Sequence, residues 1–263
     1  MNQDQRREYL IRELLRENQK YQEMDIPEDT GAQRDLLRAL MNVRMPAPVS
    51  ESFLTVQDAY LQEVSRQRGV TDCRDLVPWS GDLYLWQGDI TTLRCDAIVN
   101  AANSGMTGCY QPLHNCIDNC IHTYAGIQLR SLCGEIMDAQ GYEEPTGQAK
   151  ITPAFNLPCK YILHTVGPIV SGPLSREHRE LLASCYRSCL ELGAEYGCRS
   201  IAFCCISTGV FGFPKQEAAE IAIQTVQSYK DATGSDMQVI FNVFSDKDRR
   251  IYEDALPSKD KTE

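Results

Sequence analysis

Residues 100–122 read NAANSGMTGCYQPLHNCIDNCIH. The stretch begins as the end of an apolar strand, DAIVNA, passes through a loop of small residues, and enters a helix. Strand, small-residue loop and helix in that order form the repeating unit of an α/β protein. The same stretch places Cys109, His114 and Cys116 within eight positions, with Pro112 turning the chain between them and Asp118 just beyond. Two thiols and an imidazole suit a soft divalent ion, zinc first. Three protein ligands leave a fourth position for water or substrate, as in a catalytic rather than a structural zinc site. The spacing C-x4-H-x-C is not one of the common finger spacings.

Outward from there, strands and helices alternate. LYLW from Leu83 and DAIVNA from Asp96 read as strands. A helix is expected from about Leu113 to Gln140. AKITPAF and KYILHTV follow as strands on either side of a turn at Asn156–Pro158. Glu177 to Tyr196 is amphipathic and stops at Gly197. SIAFCCI, from Ser200 to Ile206, is a buried strand. Pro214 opens a helix running to about Tyr229. MQVIFNVF is the last strand and Lys247 to Ala255 the last helix. The alternation predicts a three-layer α/β/α domain around a central, mostly parallel sheet over residues 73–257.

Residues 1–72 read differently. Leu10, Leu14 and Leu15 share a helical face within residues 1–23. A second helix is expected from Ala32 to Val43, ending before Pro46. A third, from about Ser52 to Arg66, puts Phe53, Val56, Tyr60 and Val64 on one stripe. This is a helical extension expected to pack on the main domain, with a lid or partner-docking element as the other reading. The tail, residues 258–263, is expected to be solvated.

Composition narrows the function. With 43% hydrophobic residues, 263 residues suffice for a sizeable core. A formal charge of −10 excludes loose binding to nucleic-acid backbones, which takes a basic footprint. A negatively charged ligand remains open where backbone N–H groups and helix N-termini receive it. Twelve cysteines in a chain this long, behind a charged start without an apolar signal segment, point to reduced thiols in the cytoplasm. No apolar run approaches the ~20 residues of a membrane span.

In such sheets ligands bind at the carboxyl ends of the strands. Three small-residue loops leave strands there: Gln87–Thr91, Ala101–Gly108 and Ser207–Gly212. The last, STGVFG, carries two glycines and feeds a helix N-terminus, which suits a pyrophosphate. It is neither a Walker loop nor a GxGxxG fingerprint.

GDIT at 88–91, DAIVNAAN at 96–103, PTGQAKIT at 145–152, HTVGP at 164–168 and STGVFGFP at 207–214 together resemble the macrodomain family, in order and at family-like spacing. That family binds ADP-ribose, and many members hydrolyse ADP-ribosyl linkages. Many hydrolases of the family carry a glycine run after NAAN. Here SGMTGCYQPLHNC stands instead, which resembles a zinc-dependent branch with a Cys/His/Cys site and a helical N-terminal extension. The resemblance implies a protein-ADP-ribose hydrolase with one zinc ion per chain. It also implies a partner: a lipoyl-carrier protein modified by a sirtuin-type ADP-ribosyltransferase.

The resemblance assigns roles. Asp89 accepts from the adenine amino group, with the Ile90 amide fixing the base. Asn103 contacts the distal ribose, and Cys116, Ile117 and Asp118 belong to the ligand-contact set. Ser207, Thr208, Gly209, Val210 and Phe211 cradle the pyrophosphate, Phe211 covering the ligand. Cys109, His114 and Cys116 hold zinc, and Cys120, one turn beyond Cys116, is the competing ligand. Asp118 falls at the family's catalytic aspartate. Asn100 is read as structural, bonding loop backbone. His122 is read as packing rather than orienting Asp118, and Asn119 as surface or supporting. Phe244 is divided between packing on adenine and edging the core.

The implied reaction cleaves the bond to C1 of the distal ribose through an oxocarbenium-like state. Asp118 orients or deprotonates water. The two thiolates weaken the metal's Lewis acidity, which favours substrate positioning by zinc over water activation. The competing readings are a non-catalytic ADP-ribose reader and an O-acetyl-ADP-ribose deacetylase.

Overall fold

The computed structural model describes residues 1–255. The expected tail lies outside them, as does the end of the expected main domain. Three helices come first: α1 (Gln3–Glu17), α2 (Thr30–Val43) and α3 (Glu51–Arg68). A short strand β1 (Thr71–Asp72) leads into β2 (Leu83–Gln87), β3 (Leu93–Arg94) and β4 (Ala97–Ala102). Then come α4 (Ile117–Ala125), α5 (Ile127–Gln140), β5 (Ala149–Pro153), β6 (Tyr161–Val166) and α6 (Arg176–Glu195). The chain continues through β7 (Ser200–Phe203), α7 (Lys215–Thr233), β8 (Gln238–Val243) and α8 (Asp246–Ala255).

The main sheet has six strands in the order β2-β8-β7-β4-β6-β5. Only β5 runs antiparallel; every other pairing is parallel. A sheet covered on both faces by helices demands continuous apolar strands. β4 obliges with Ala97, Ile98, Val99 and Ala102 all buried, and β8 with Val239, Ile240, Phe241 and Val243. Because the inner strands are parallel, their carboxyl ends share one edge, and the loops after β2, β4, β6, β7 and β8 gather there. β1 and β3 pair in a separate two-stranded piece.

The extension has its own apolar cluster, in which Leu10, Ile11 and Leu14 of α1 meet Leu37 and Leu40 of α2 and Phe53 and Tyr60 of α3. Each such burial contributes about 1.5–3 kcal/mol. Ile127 of α5 belongs to the same cluster, so the extension is packed onto the main domain. Gln57 of α3, fully buried, accepts from the Ile127 amide at 3.0 Å and so supplies the cap that the start of α5 lacks locally.

Some boundaries differ from the sequence reading. The helix expected over 113–140 begins at Ile117 and breaks at Gly126, where φ is 102° and a Cβ would sit 2.6 Å from Gln57. β7 stops at Phe203, because Cys204 and Cys205 already turn toward the STGVFG loop. Phe155 has φ 51°, so AKITPAF leaves the strand at Pro153.

Candidate active site

Cys109, His114 and Cys116 converge. Their three ligand atoms lie within 4.8 Å of one another, and Cys109 Sγ is 3.7 Å from His114 Nδ1. All three are half-buried. Cys116 is the N-cap of α4, its sulfur accepting from the Asn119 amide at 3.4 Å. Burial, with the Cys109 thiol nearby, pushes Cys116 up to about 12. Burial disfavours a bare Cys116 thiolate, so a positive charge must take the place of its proton before the sulfur can act as a ligand, and a divalent cation fits this Cys/His/Cys donor set. Cys120 is not part of the group; its sulfur lies 3.8 Å from Arg38 Nη2 instead.

The loop that carries the triad is held by groups far away in sequence. Asn119 is fully buried and donates to the carbonyls of Cys109 (3.3 Å) and Gln111 (2.9 Å). Arg38 of α2 donates to the His114 carbonyl (2.7 Å) and to Asn119 Oδ1 (3.0 Å). Asn42 of α2 accepts from the Leu113 amide at 3.0 Å and donates to Thr123 at 2.9 Å. Arg130 of α5 ties the Cys109 carbonyl (3.3 Å) to the carbonyls of Asn42 and Arg44. The helical extension is therefore one wall of this site.

Asp118 stands in the first turn of α4, two residues after Cys116, with its side chain buried. Asn100 donates to its Oδ1 at 2.8 Å and Asn103 to its Oδ2 at 3.4 Å. His122 Nε2 faces Oδ1 at 3.6 Å. Burial raises the Asp118 carboxyl to about 6, against the pull of the Asn100 hydrogen bond and the Arg130 charge. Behind it Asn100 also donates to His164 Nδ1 at 3.2 Å, and His164 Nε2 meets Thr152 Oγ1 at 2.9 Å. The close approach of His122 requires Gly108, where φ is +85° and a Cβ would lie 2.7 Å from the ring.

At the next strand end, Ser207 has φ 62° and a buried side chain. Gly167 makes room for it, since a Cβ there would fall 2.1 Å from Ser207 Oγ. The turn closes through Gly212 N to the Gly209 carbonyl (3.1 Å) and Phe213 N to the Ser207 carbonyl (3.0 Å). Among the described residues, the amides of Gly209, Val210 and Phe211 donate to no protein acceptor. Val210 is 82% exposed and open space surrounds the Gly209 Cα. Free N–H groups ahead of a helix N-terminus have the chemistry to receive an anion.

At the far end of the same edge, Asp89 caps the turn Ile90–Thr92, its Oδ1 accepting from the Thr91 amide at 2.9 Å. Ile90 is buried beneath it, and Phe244 at the end of β8 is 77% exposed. Ile117 opens α4 and packs partly on the core. The sheet edge thus carries an acceptor-lined end, an amide-lined middle and a carboxylate beside a thiol–imidazole cluster.

A family model described as Macro domain matches residues 99–222. A protein-ADP-ribose hydrolase from Treponema medium is 62% identical over 256 residues, spanning 96% of this chain and 98% of the relative. The chain belongs to the macrodomain family. Among solved structures, an Oceanobacillus iheyensis macrodomain with ADP aligns with TM-score 0.61 and 38% identity over 68% of this chain and 93% of that one. A Trypanosoma brucei macrodomain in complex with ADP-ribose aligns with TM-score 0.64 and 29% identity, covering 82% and 94%. The macrodomain sheet and its crowning loops are the expected three-layer α/β arrangement.

Two asparagines carry more of this macrodomain site than their sequence context suggests. Asn100 bonds Asp118 and His164 rather than loop backbone, and of the two readings of Asn119, surface or supporting, the structure shows the supporting one: it is buried and gathers the triad loop. The signal for Asn100 was available: an amide inside the apolar run AIVNAA must find buried partners. Arg38, Asn42, Arg68 and Arg130 gave no such signal, because their partners are remote in sequence.

Proposed function

We propose that this chain is a zinc-dependent protein-ADP-ribose hydrolase that cleaves the bond between C1 of the distal ribose and a protein side chain. The observation that carries the reading is the convergence of Cys109, His114 and Cys116 in the turn preceding a helix whose first turn presents Asp118. A reader needs the base and pyrophosphate contacts only; it has no use for this cluster. The hydrolase named in Treponema medium, matched over nearly its whole length, supports the same reaction class.

In this reading the pyrophosphate rests on the amides of Gly209, Val210 and Phe211, with Ser207 and Thr208 shaping the loop. Asp89 accepts a hydrogen bond from the adenine amino group, beside the Ile90 amide, and Asn103 meets the distal ribose. Cys109, His114 and Cys116 would hold the zinc ion, which when bound would supply Lewis acidity toward a substrate oxygen. Asp118 orients the attacking water and takes its proton, while Asn100 keeps that carboxylate in place. Ile117, adjacent to Asp118, packs the start of α4 and so fixes its direction.

The substrate class is an ADP-ribosylated protein, and a lipoyl-carrier protein modified by a sirtuin-type transferase is the target to try first. The proposal includes a reducing, cytoplasmic setting, in keeping with twelve free thiols. Single-turnover release of ADP-ribose from modified protein, by Cys116→Ser and Asp118→Asn variants, tests it. Both variants should lose turnover while retaining ADP-ribose binding. Wild-type rates from both would refute the assignment. Turnover of O-acetyl-ADP-ribose alone would replace it with the deacetylase reading.

A further inference from the structure

The base end of the cleft contains a residue that does not come from the macrodomain sheet. Arg68 is the last residue of α3, and Gly69, with φ 83°, turns the chain away behind it. Its Nη2 donates to Asp89 Oδ2 and, at 3.0 Å, to Thr91 Oγ1. The guanidinium lies over the ring of Tyr124 at 3.7 Å from its centre. Tyr124 belongs to α4, the helix that begins at the Cys116 cap and carries Asp118. One planar cation therefore joins the extension, the loop after β2 and the catalytic helix.

Asp89 is held from both sides. Thr91 donates to Oδ1 through its amide (2.9 Å) and hydroxyl (2.6 Å), and Arg68 takes Oδ2. The carboxylate side chain is still 38% exposed, so it retains lone pairs facing outward. A carboxylate fixed this way only accepts. It welcomes an exocyclic amine and opposes a 6-oxo group at the same place. Without the Arg68 contact only one oxygen is anchored, and the outward acceptor loses its defined direction.

We propose that Arg68 is a specificity-determining positioning residue, through which the helical extension makes the site select adenine over 6-oxopurines. The proposal rests on the reading that Asp89 faces the base. Lysine cannot fully replace arginine here, because a compact ammonium lacks the flat face that lies on Tyr124 and holds the Nη2 donor toward Asp89 and Thr91.

The test is calorimetric binding of ADP-ribose and of IDP-ribose, in which hypoxanthine replaces adenine, to the full chain. Wild type should bind ADP-ribose about tenfold or more tighter than IDP-ribose, the value of one well-placed hydrogen bond to a charged acceptor. Arg68→Gln should reduce that ratio to about threefold or less by weakening ADP-ribose alone. In turnover, Arg68→Gln should raise KM for the ADP-ribosylated substrate by a larger factor than it lowers kcat. Arg68→Lys, which keeps the charge and safeguards against a folding defect, should recover only part of the ratio. Equal weakening of both ligands in Arg68→Gln, or a wild-type ratio in Arg68→Lys, overturns the proposal. Asp89→Asn separates the two layers. If it abolishes the preference while Arg68→Gln keeps it, the Arg68 role alone fails. If it leaves the preference intact, the placement of the base fails.

Discussion

The Asn100 side chain donates to Asp118 Oδ1 at 2.8 Å, joining the carboxyl end of β4 to the first turn of α4. Two amides set the direction of this buried carboxylate, and Asn100 makes the shorter of the two contacts. In Asn100→Ala, turnover should fall by about two orders of magnitude, the usual contribution of a positioned base, with ADP-ribose affinity within about threefold of wild type. Single-turnover kinetics beside calorimetry checks this. Undiminished turnover would show that Asp118 is held by other means.

Asn119 gathers the triad loop through the carbonyls of Cys109 and Gln111. Removing a partner that orients metal ligands typically lowers affinity about 10–100-fold. Asn119→Ala should do so here and should also cost about 1–3 kcal/mol of stability, because buried carbonyls and Arg38 lose a partner. Competition against a chromophoric chelator measures the first effect and urea unfolding the second. Unchanged zinc affinity would mean that the triad is assembled without Asn119.

Gly167 and Ser207 bring two strand ends into contact. A Cβ at residue 167 meets Ser207 Oγ at 2.1 Å and Ile206 at 2.8 Å, so one of the loops must move. Gly167→Ala should lose about 1–3 kcal/mol, as overpacking does, and should weaken ADP-ribose binding more than it lowers turnover at saturation. Equal stability and affinity would contradict the cradle geometry.

Acid should weaken the fold in a way that can be counted. Burial lowers His164 to about 3 and holds His122 well below its ordinary range, with the neighbouring His164 imidazole and the Arg130 charge adding to the effect on His122. Both stay neutral in the folded chain while the unfolded chain protonates them near 6.5, so stability is lost as pH falls below that value. Asp118 acts in the opposite sense, since its raised value of about 6 lets the folded state take a proton first. Two histidines less one carboxyl leave about one proton more on the unfolded chain between pH 6 and 4.5, a slope of about 1.4 kcal/mol per pH unit. Urea unfolding of metal-free protein across that window should show it. Asp118→Asn should about double the slope, and a flat profile in both proteins would exclude neutral buried histidines.

How much of this was legible in the sequence follows from which contacts are local. The strand-loop-helix units, the STGVFG loop at a strand end and the grouping of Cys109, His114 and Cys116 lie in short segments, so spacing and residue type made them legible. The break at Gly126 was not legible, because Gln57 from α3 both fills the space and caps Ile127. Nor was the placement of Arg38 and Arg68, whose partners lie 76 and 21 residues away. The lid and docking readings of the extension left out what α2 and α3 do: they brace the triad loop at one end of the cleft and Asp89 at the other.

The most direct measurement is ADP-ribose release from an ADP-ribosylated protein by three preparations of the same chain: as purified, stripped of metal, and stripped then given one equivalent of zinc. The expected result is one zinc per chain as purified, a loss of turnover of about 100-fold or more on stripping, and recovery with zinc, while ADP-ribose binding persists throughout. Full turnover by the stripped protein, with its Cys109, His114 and Cys116 side chains intact, would contradict the account.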